Sequence, residues 1–102
     1  MPPALSYGSA AILHSIADGH QFGFDIMSAT GLTSGTVYPA LDRLESAGYL
    51  QSKWESDAIA RADGRPARRY FTLTAAGAKA LRGALEKYKA LRPLTGFSPE
   101  EA

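Results

Sequence analysis

The sequence predicts a mostly α, α+β fold: three helices, a two-stranded hairpin and a closing helix. Three observations carry this expectation. Apolar residues recur at helical period in three separate segments. Two short runs, near residues 50–55 and 68–73, carry the alternation and residue types of strands. Glycine- and proline-bearing breaks punctuate the segments.

Met1 to Leu5 is a proline-bearing lead-in. Ser6 is placed to cap a first helix running to about Ala17, with Ala10, Leu13, Ile16 and Ala17 on one face. Asp18-Gly19-His20 ends it with turn chemistry. A short second helix runs from Gly23 or Phe24 to about Ala29, is broken by Thr30-Gly31, and leads through Leu32 to Ser34. In the third helix Val37, Leu41 and Leu44 form one apolar stripe, and Gly48 follows where a left-handed cap is wanted. Pro39 has no N–H, so a cap at Gly35 or Thr36 puts it in the free first turn. The expected helix is regular from near Pro39 and ends at Ala47.

Leu50 to Glu55 alternates like a half-buried strand. Ser56 to Ala67 reads as a polar loop with Gly64 and Pro66. Arg68 to Leu73 is the second strand, with Arg69, Phe71 and Leu73 on one face and Tyr70 and Thr72 on the other. Strand, long loop and strand make a wing. Thr74 is a plausible N-cap for a last helix through Leu91, stopped by Pro93. The resulting order is that of a winged helix-turn-helix with an extra C-terminal helix. It divides the chain into a winged domain at 1–74, a helix at 75–92 and a flexible tail at 93–102.

Length and composition permit one domain with a modest core: 102 residues, 45% hydrophobic. The net charge is only +1, so no global basic signal points to nucleic acid. Positive charge is instead local. Residues 1–50 hold Asp18, Asp25, Asp42 and Glu45 against Arg43, whereas residues 61–69 hold Arg61, Arg65, Arg68 and Arg69 against Asp63. There is no cysteine, which excludes disulfides and thiol chemistry and suits a reducing cytosol. No signal peptide or membrane-spanning run is evident, so a cytoplasmic protein with no membrane partner is expected.

Several residues are candidates for DNA contact. The third helix offers Ser34, Thr36, Tyr38, Pro39 and Arg43 near its first turns, the part of a recognition helix that reaches bases and phosphates. The alternative is that Tyr38 packs and Arg43 pairs with Asp42 or Glu45. The wing offers Arg65, Arg68 and Arg69 for phosphate contact or a narrow minor groove. The alternative is a solvated loop, with the Arg69 stem covering the core. Trp54 and Tyr70 fit cross-strand packing better than a single-strand stacking platform. His14, His20 and Asp18 are too few for a metal site, and no catalytic triad or phosphate-cradling loop is present. No cofactor or enzyme activity is expected. Leu81, Leu85, Tyr88 and Leu91 form the apolar stripe of the last helix.

Three blocks in order resemble the PadR family of bacterial transcriptional regulators, over about residues 5–91. His20 to Ile26 (HQFGFDI) is similar to the family's HGYEI-like lead into its second helix. Gly35 to Glu45 (GTVYPALDRLE) is similar to its GTLYPLLRRLE-like recognition helix. Gly64 to Thr74 (GRPARRYFTLT) is similar to its GRPRKYYRLT-like wing strand. Phe24 and Asp25 replace the usual tyrosine and glutamate, and Ala40 and Asp42 make the recognition helix smaller and more acidic. The short C-terminus resembles the subgroup without a large C-terminal domain.

The resemblance implies dimerisation through the last helix, hence through Leu81, Leu85, Tyr88 and Leu91. It also implies a repressor acting on double-stranded DNA at a roughly palindromic operator. A small apolar or phenolic effector at the dimer interface is a further implication. No aromatic cluster in the sequence marks a pocket for one. A winged-helix module that binds only protein is the remaining alternative.

Overall fold

The computed structural model describes residues 5–88, in the order α1 (Tyr7–Ala17), α2 (Gly23–Thr30), α3 (Ser34–Ser46), β1 (Leu50–Trp54), α4 (Asp57–Ala62), β2 (Arg69–Leu73) and α5 (Ala75–Lys87). Local chemistry explains most of the boundaries. Ser6, Ser56 and Thr74 cap α1, α4 and α5, each side-chain oxygen accepting from a backbone N–H three residues on. Gly31 ends α2 at φ 76°, a left-handed conformation that a Cβ would strain.

The core is built from α1, α2, α3, both strands and α5. Ile12, Leu13, Ile16, Ile26, Val37, Leu41, Leu44, Leu50, Phe71 and Leu81 are all buried in one cluster. Burying each large aliphatic side chain contributes about 1.5–3 kcal/mol before entropy is counted. α1 is the central element, buried at every position from Ser9 to Ile16.

β1 and β2 pair antiparallel, with Leu50 opposite Leu73 and Trp54 opposite Arg69. Phe22 forms an isolated bridge to Tyr70, and Phe71 N–H donates to the Gln21 carbonyl at 2.8 Å. The α1–α2 connection therefore edges the wing sheet and fixes α2 beside it. Gly77 permits a close approach on the other side: a Cβ there would collide with the Tyr49 carbonyl.

Three expectations about the elements need correction. First, α3 begins at Ser34 behind an N-cap at Thr33, and Pro39 lies inside it rather than in its first turn. Pro39 omits one hydrogen bond, to the Gly35 carbonyl. Both residues are exposed, so the missing bond lies on the solvent side of α3. Packing of Val37, Ala40, Leu41 and Leu44 outweighs the missing bond. Second, the segment 56–67 is not all loop: it holds α4, whose Ala60 is buried. Third, α5 ends at Lys87 with Tyr88 as its C-cap, short of the expected Leu91. Leu91 and residues 93–102 lie outside the described residues.

α5 buries Leu81 in the same cluster as α1 and α3, while Ala84 packs with Ala10 and Ala11.

Candidate nucleic-acid interface

α3 has two chemically distinct faces. Val37, Ala40, Leu41 and Leu44 turn inward. Ser34, Thr36, Tyr38, Pro39, Asp42 and Arg43 are exposed. No side chain caps the helix by a hydrogen bond; the two threonine hydroxyls of Thr33 and Thr36 meet at 3.4 Å instead. Tyr38 is half exposed and lies across Gly23 of α2, where a Cβ would come within 2.5 Å of its ring. The missing side chain at the start of α2 thus gives Tyr38 its place. Arg43 makes no ion pair among the described residues.

The wing arginines divide into three environments. Arg65 grips Glu55, Nη1 donating to Oε1 at 2.6 Å and Nη2 to Oε2 at 2.9 Å. Asp63 adds a second carboxylate at 3.3 Å. Glu55 also accepts from the Arg68 backbone N–H at 3.3 Å and from Tyr70 Oη at 3.4 Å. These donors, Arg65 above all, hold the Glu55 carboxyl down to about 2. The same carboxylate pushes the Arg65 guanidinium upward.

Arg69 reaches back from β2 to α3. Its Nη2 pairs closely with Glu45, and its Nε donates to Ser52 Oγ at 3.0 Å. Ser52 Oγ in turn donates to Glu45 at 2.6 Å, while Asp42 lies 3.7 Å from Nη1. The Arg69 guanidinium also covers the Phe71 ring at 5.0 Å. Arg68 differs from both. It is braced over the Phe22 ring at 4.1 Å and has no carboxylate partner among the described residues.

α3, α2 and the wing enclose a groove of about 720 Å³. Phe22, Phe24, Tyr38, Trp54 and Phe71 line it. Sequence reasoning found no aromatic cluster, because these residues come from four elements and one loop. Trp54 does not stack on Tyr70: it stands opposite Arg69, whereas Tyr70 meets Phe22 edge-on at 5.6 Å.

The sequence over residues 12–83 matches the transcriptional regulator PadR-like family. The chain belongs to that family. Its fold is shared by several solved structures. One is a PadR family transcription regulator from hypervirulent Clostridium difficile R20291, at TM-score 0.71 and 21% identity, covering 89% of this chain and 96% of the other. Another is smu.1704 from Streptococcus mutans UA159, at TM-score 0.67 and 28% identity, covering 91% and 88%. A third is Bordetella bronchiseptica BpsR, whose DNA binding is regulated by 6-hydroxynicotinic acid, at TM-score 0.68 and 21% identity, covering 99% and 74%. No curated protein sequence matches the chain.

Of the residues expected in the dimerisation stripe, Leu81, Leu85 and Tyr88 are among the described residues and contact their own subunit. Leu81 is buried in the core of its own subunit. Leu85 is half-buried against both clusters. Tyr88 meets Tyr7 edge-on at 5.4 Å and donates its hydroxyl to the Leu5 carbonyl at 2.9 Å. His20 lies between Asp25 at 3.1 Å and Asp18 at 3.8 Å. No group of three or more His, Asp or Glu able to hold a metal occurs among the described residues. No helix among them is long and apolar enough to cross a membrane.

Proposed function

We propose that this PadR-family regulator acts as a homodimeric repressor on a roughly palindromic site in double-stranded DNA. The observation that carries the reading is the outward face of α3, whose Ser34, Thr36, Tyr38 and Arg43 stand exposed beside the wing. α3 enters the major groove, and its first turns read bases. Arg68 contacts the phosphate backbone and supplies sequence-independent affinity. Arg65 and Arg69 act mainly by shaping the wing and holding it to α3, since carboxylates already occupy their guanidinium groups.

A twofold dimer with one α3 per half-site accounts for palindromy. The exposed Tyr7 and half-buried Tyr88 support a partner contact around α1 and the end of α5. The test is binding to the duplex upstream of the protein's own coding sequence, across a salt series. Affinity that falls steeply with salt and exceeds that for an unrelated duplex is expected. Weak binding indifferent to both salt and sequence overturns the proposal.

A further inference from the structure

We propose that the groove between α3 and the wing is a binding site for a planar aromatic anion of two or more rings, and that its occupancy excludes DNA. The exclusion rests on the functional reading above, because Tyr38 and Arg68 belong to both surfaces; the binding itself does not.

The apolar walls suit a π face. The exposed large hydrophobics among the described residues are Tyr7, Phe24, Tyr38, Trp54 and Ile59. Three of these, Phe24, Tyr38 and Trp54, line this single groove. Leu41 and Phe71 contribute to its lining from the core. Exposed apolar surface concentrated in this way marks a contact site rather than random scatter. Phosphate gains nothing from such walls, whereas flat aromatic rings stack on them. At about 720 Å³ the groove falls in the range of small-molecule sites and exceeds the needs of one ring.

The charge preference follows from which cation is left over. Three arginines and Asp42 reach the groove. Arg65 is neutralised by Glu55, and Arg69 is neutralised by Glu45 with Asp42 nearby. Arg68 alone of the three lacks a carboxylate, and stacking on Phe22 holds its planar fork in place. A guanidinium so braced suits a sulfonate or carboxylate carried on the edge of an aromatic ligand.

Two dyes test the proposal with the full chain. Anilinonaphthalenesulfonate carries the anion; phenylnaphthylamine has the same ring groups without it. Trp54 is the sole tryptophan and lines the groove, so energy transfer from it is required of a bound dye, and the groove variants below place that dye in this site. The expected result is one saturable sulfonate site per chain, with transfer from Trp54. Arg68→Gln weakens the sulfonate by about tenfold or more, the loss of a charge-assisted contact, and leaves the neutral dye unchanged. Phe24→Ser weakens both, and exposure of Phe24 makes that change safe for folding.

A random-sequence duplex at low salt displaces both dyes; displacement of the neutral one excludes simple charge repulsion. Binding at several sites, absence of transfer from Trp54, or indifference to Arg68→Gln overturns the site. If the duplex binds and displaces neither dye, the exclusion falls and the DNA reading stands. If the dyes behave as expected and no duplex binds, the site stands and the regulator reading falls.

Discussion

Arg65 and Glu55 form a two-pronged clamp across the wing, at 2.6 and 2.9 Å, ten residues apart in the chain. The clamp closes the segment that contains α4. It brings the end of β1 next to the approach to β2, and the same carboxylate takes the Arg68 N–H and the Tyr70 hydroxyl. Glu55 is therefore the hub of the wing, and Arg65 is its principal partner.

The clamp predicts an acid transition confined to the wing. The Glu55 carboxyl is lowered from 4.5 to about 2 in the folded chain. Between those values the unfolded wing binds the proton and the folded wing does not. The contribution of the clamp is thus complete above about pH 4.5 and is lost as pH falls through about 2. Fluorescence of the adjacent Trp54, followed during acidification, is expected to report this step. Glu55→Gln removes it, and neutral-pH DNA affinity falls in that variant with little change in thermal midpoint. A variant that retains the acid step assigns the titration to another group.

Arg68 and Arg65 are expected to separate in their salt dependence. Arg68→Ala removes a phosphate contact, so affinity falls uniformly across sequences and the salt slope drops by about one. Arg65→Ala loosens the wing instead. Its effect is expected to match that of Glu55→Gln, and the double variant to be no worse than either single one. Binding titrations at four or more salt concentrations distinguish the two. An equal loss of slope for Arg65→Ala makes it a phosphate residue after all.

The residues that sequence made legible are those governed by near neighbours. Caps at Ser6 and Thr74, the Gly31 break, the Val37–Leu41–Leu44 stripe and the pairing of the two strands all follow from local pattern. At Pro39 a local hydrogen-bond rule opposes burial of a whole helix face, and burial is the larger effect. α4 reads as loop although Ser56 and Asp57 carry a start signal, because its six residues lack a long apolar stripe. The partners of Arg65 and Arg69 lie ten and twenty-four residues away. The aromatic groove joins residues from four elements and from the loops before α2 and β2. Neither arrangement leaves a periodic trace.

Leu81 supplies a stability prediction that separates core from interface. Leu81→Ala opens a cavity beneath α1 and α3, a loss of about 2–5 kcal/mol. The thermal midpoint is expected to fall by roughly 10 °C or more, for a domain of this size. Because Leu81 packs within its own subunit, the fall should be the same at low and high protein concentration. Sedimentation measures the dimer in parallel. A dissociated but equally heat-stable variant assigns Leu81 to a partner contact instead.

Gly23 and Tyr38 supply the test of how sequence preference is set. A Cβ on Gly23 lands 2.5 Å from the Tyr38 ring, which is the far end of a flexible, half-exposed side chain. Gly23→Ala is therefore expected to keep the fold and swing Tyr38 away from its resting place. Gly77→Ala is the contrasting case, because its Cβ meets the Tyr49 backbone carbonyl, which cannot step aside. That overpacking is expected to cost on the order of 1–3 kcal/mol while leaving preference intact. Selection of bound duplexes from a random pool should then show Gly23→Ala and Tyr38→Ala shifted toward a similar altered preference, with wild-type thermal midpoints. If Gly23→Ala selects the wild-type sequences and Tyr38→Ala does not, Tyr38 reads DNA from a position that Gly23 does not control. If neither variant changes the selected sequences, reading falls to the other exposed groups of α3, Ser34, Thr36 and Arg43.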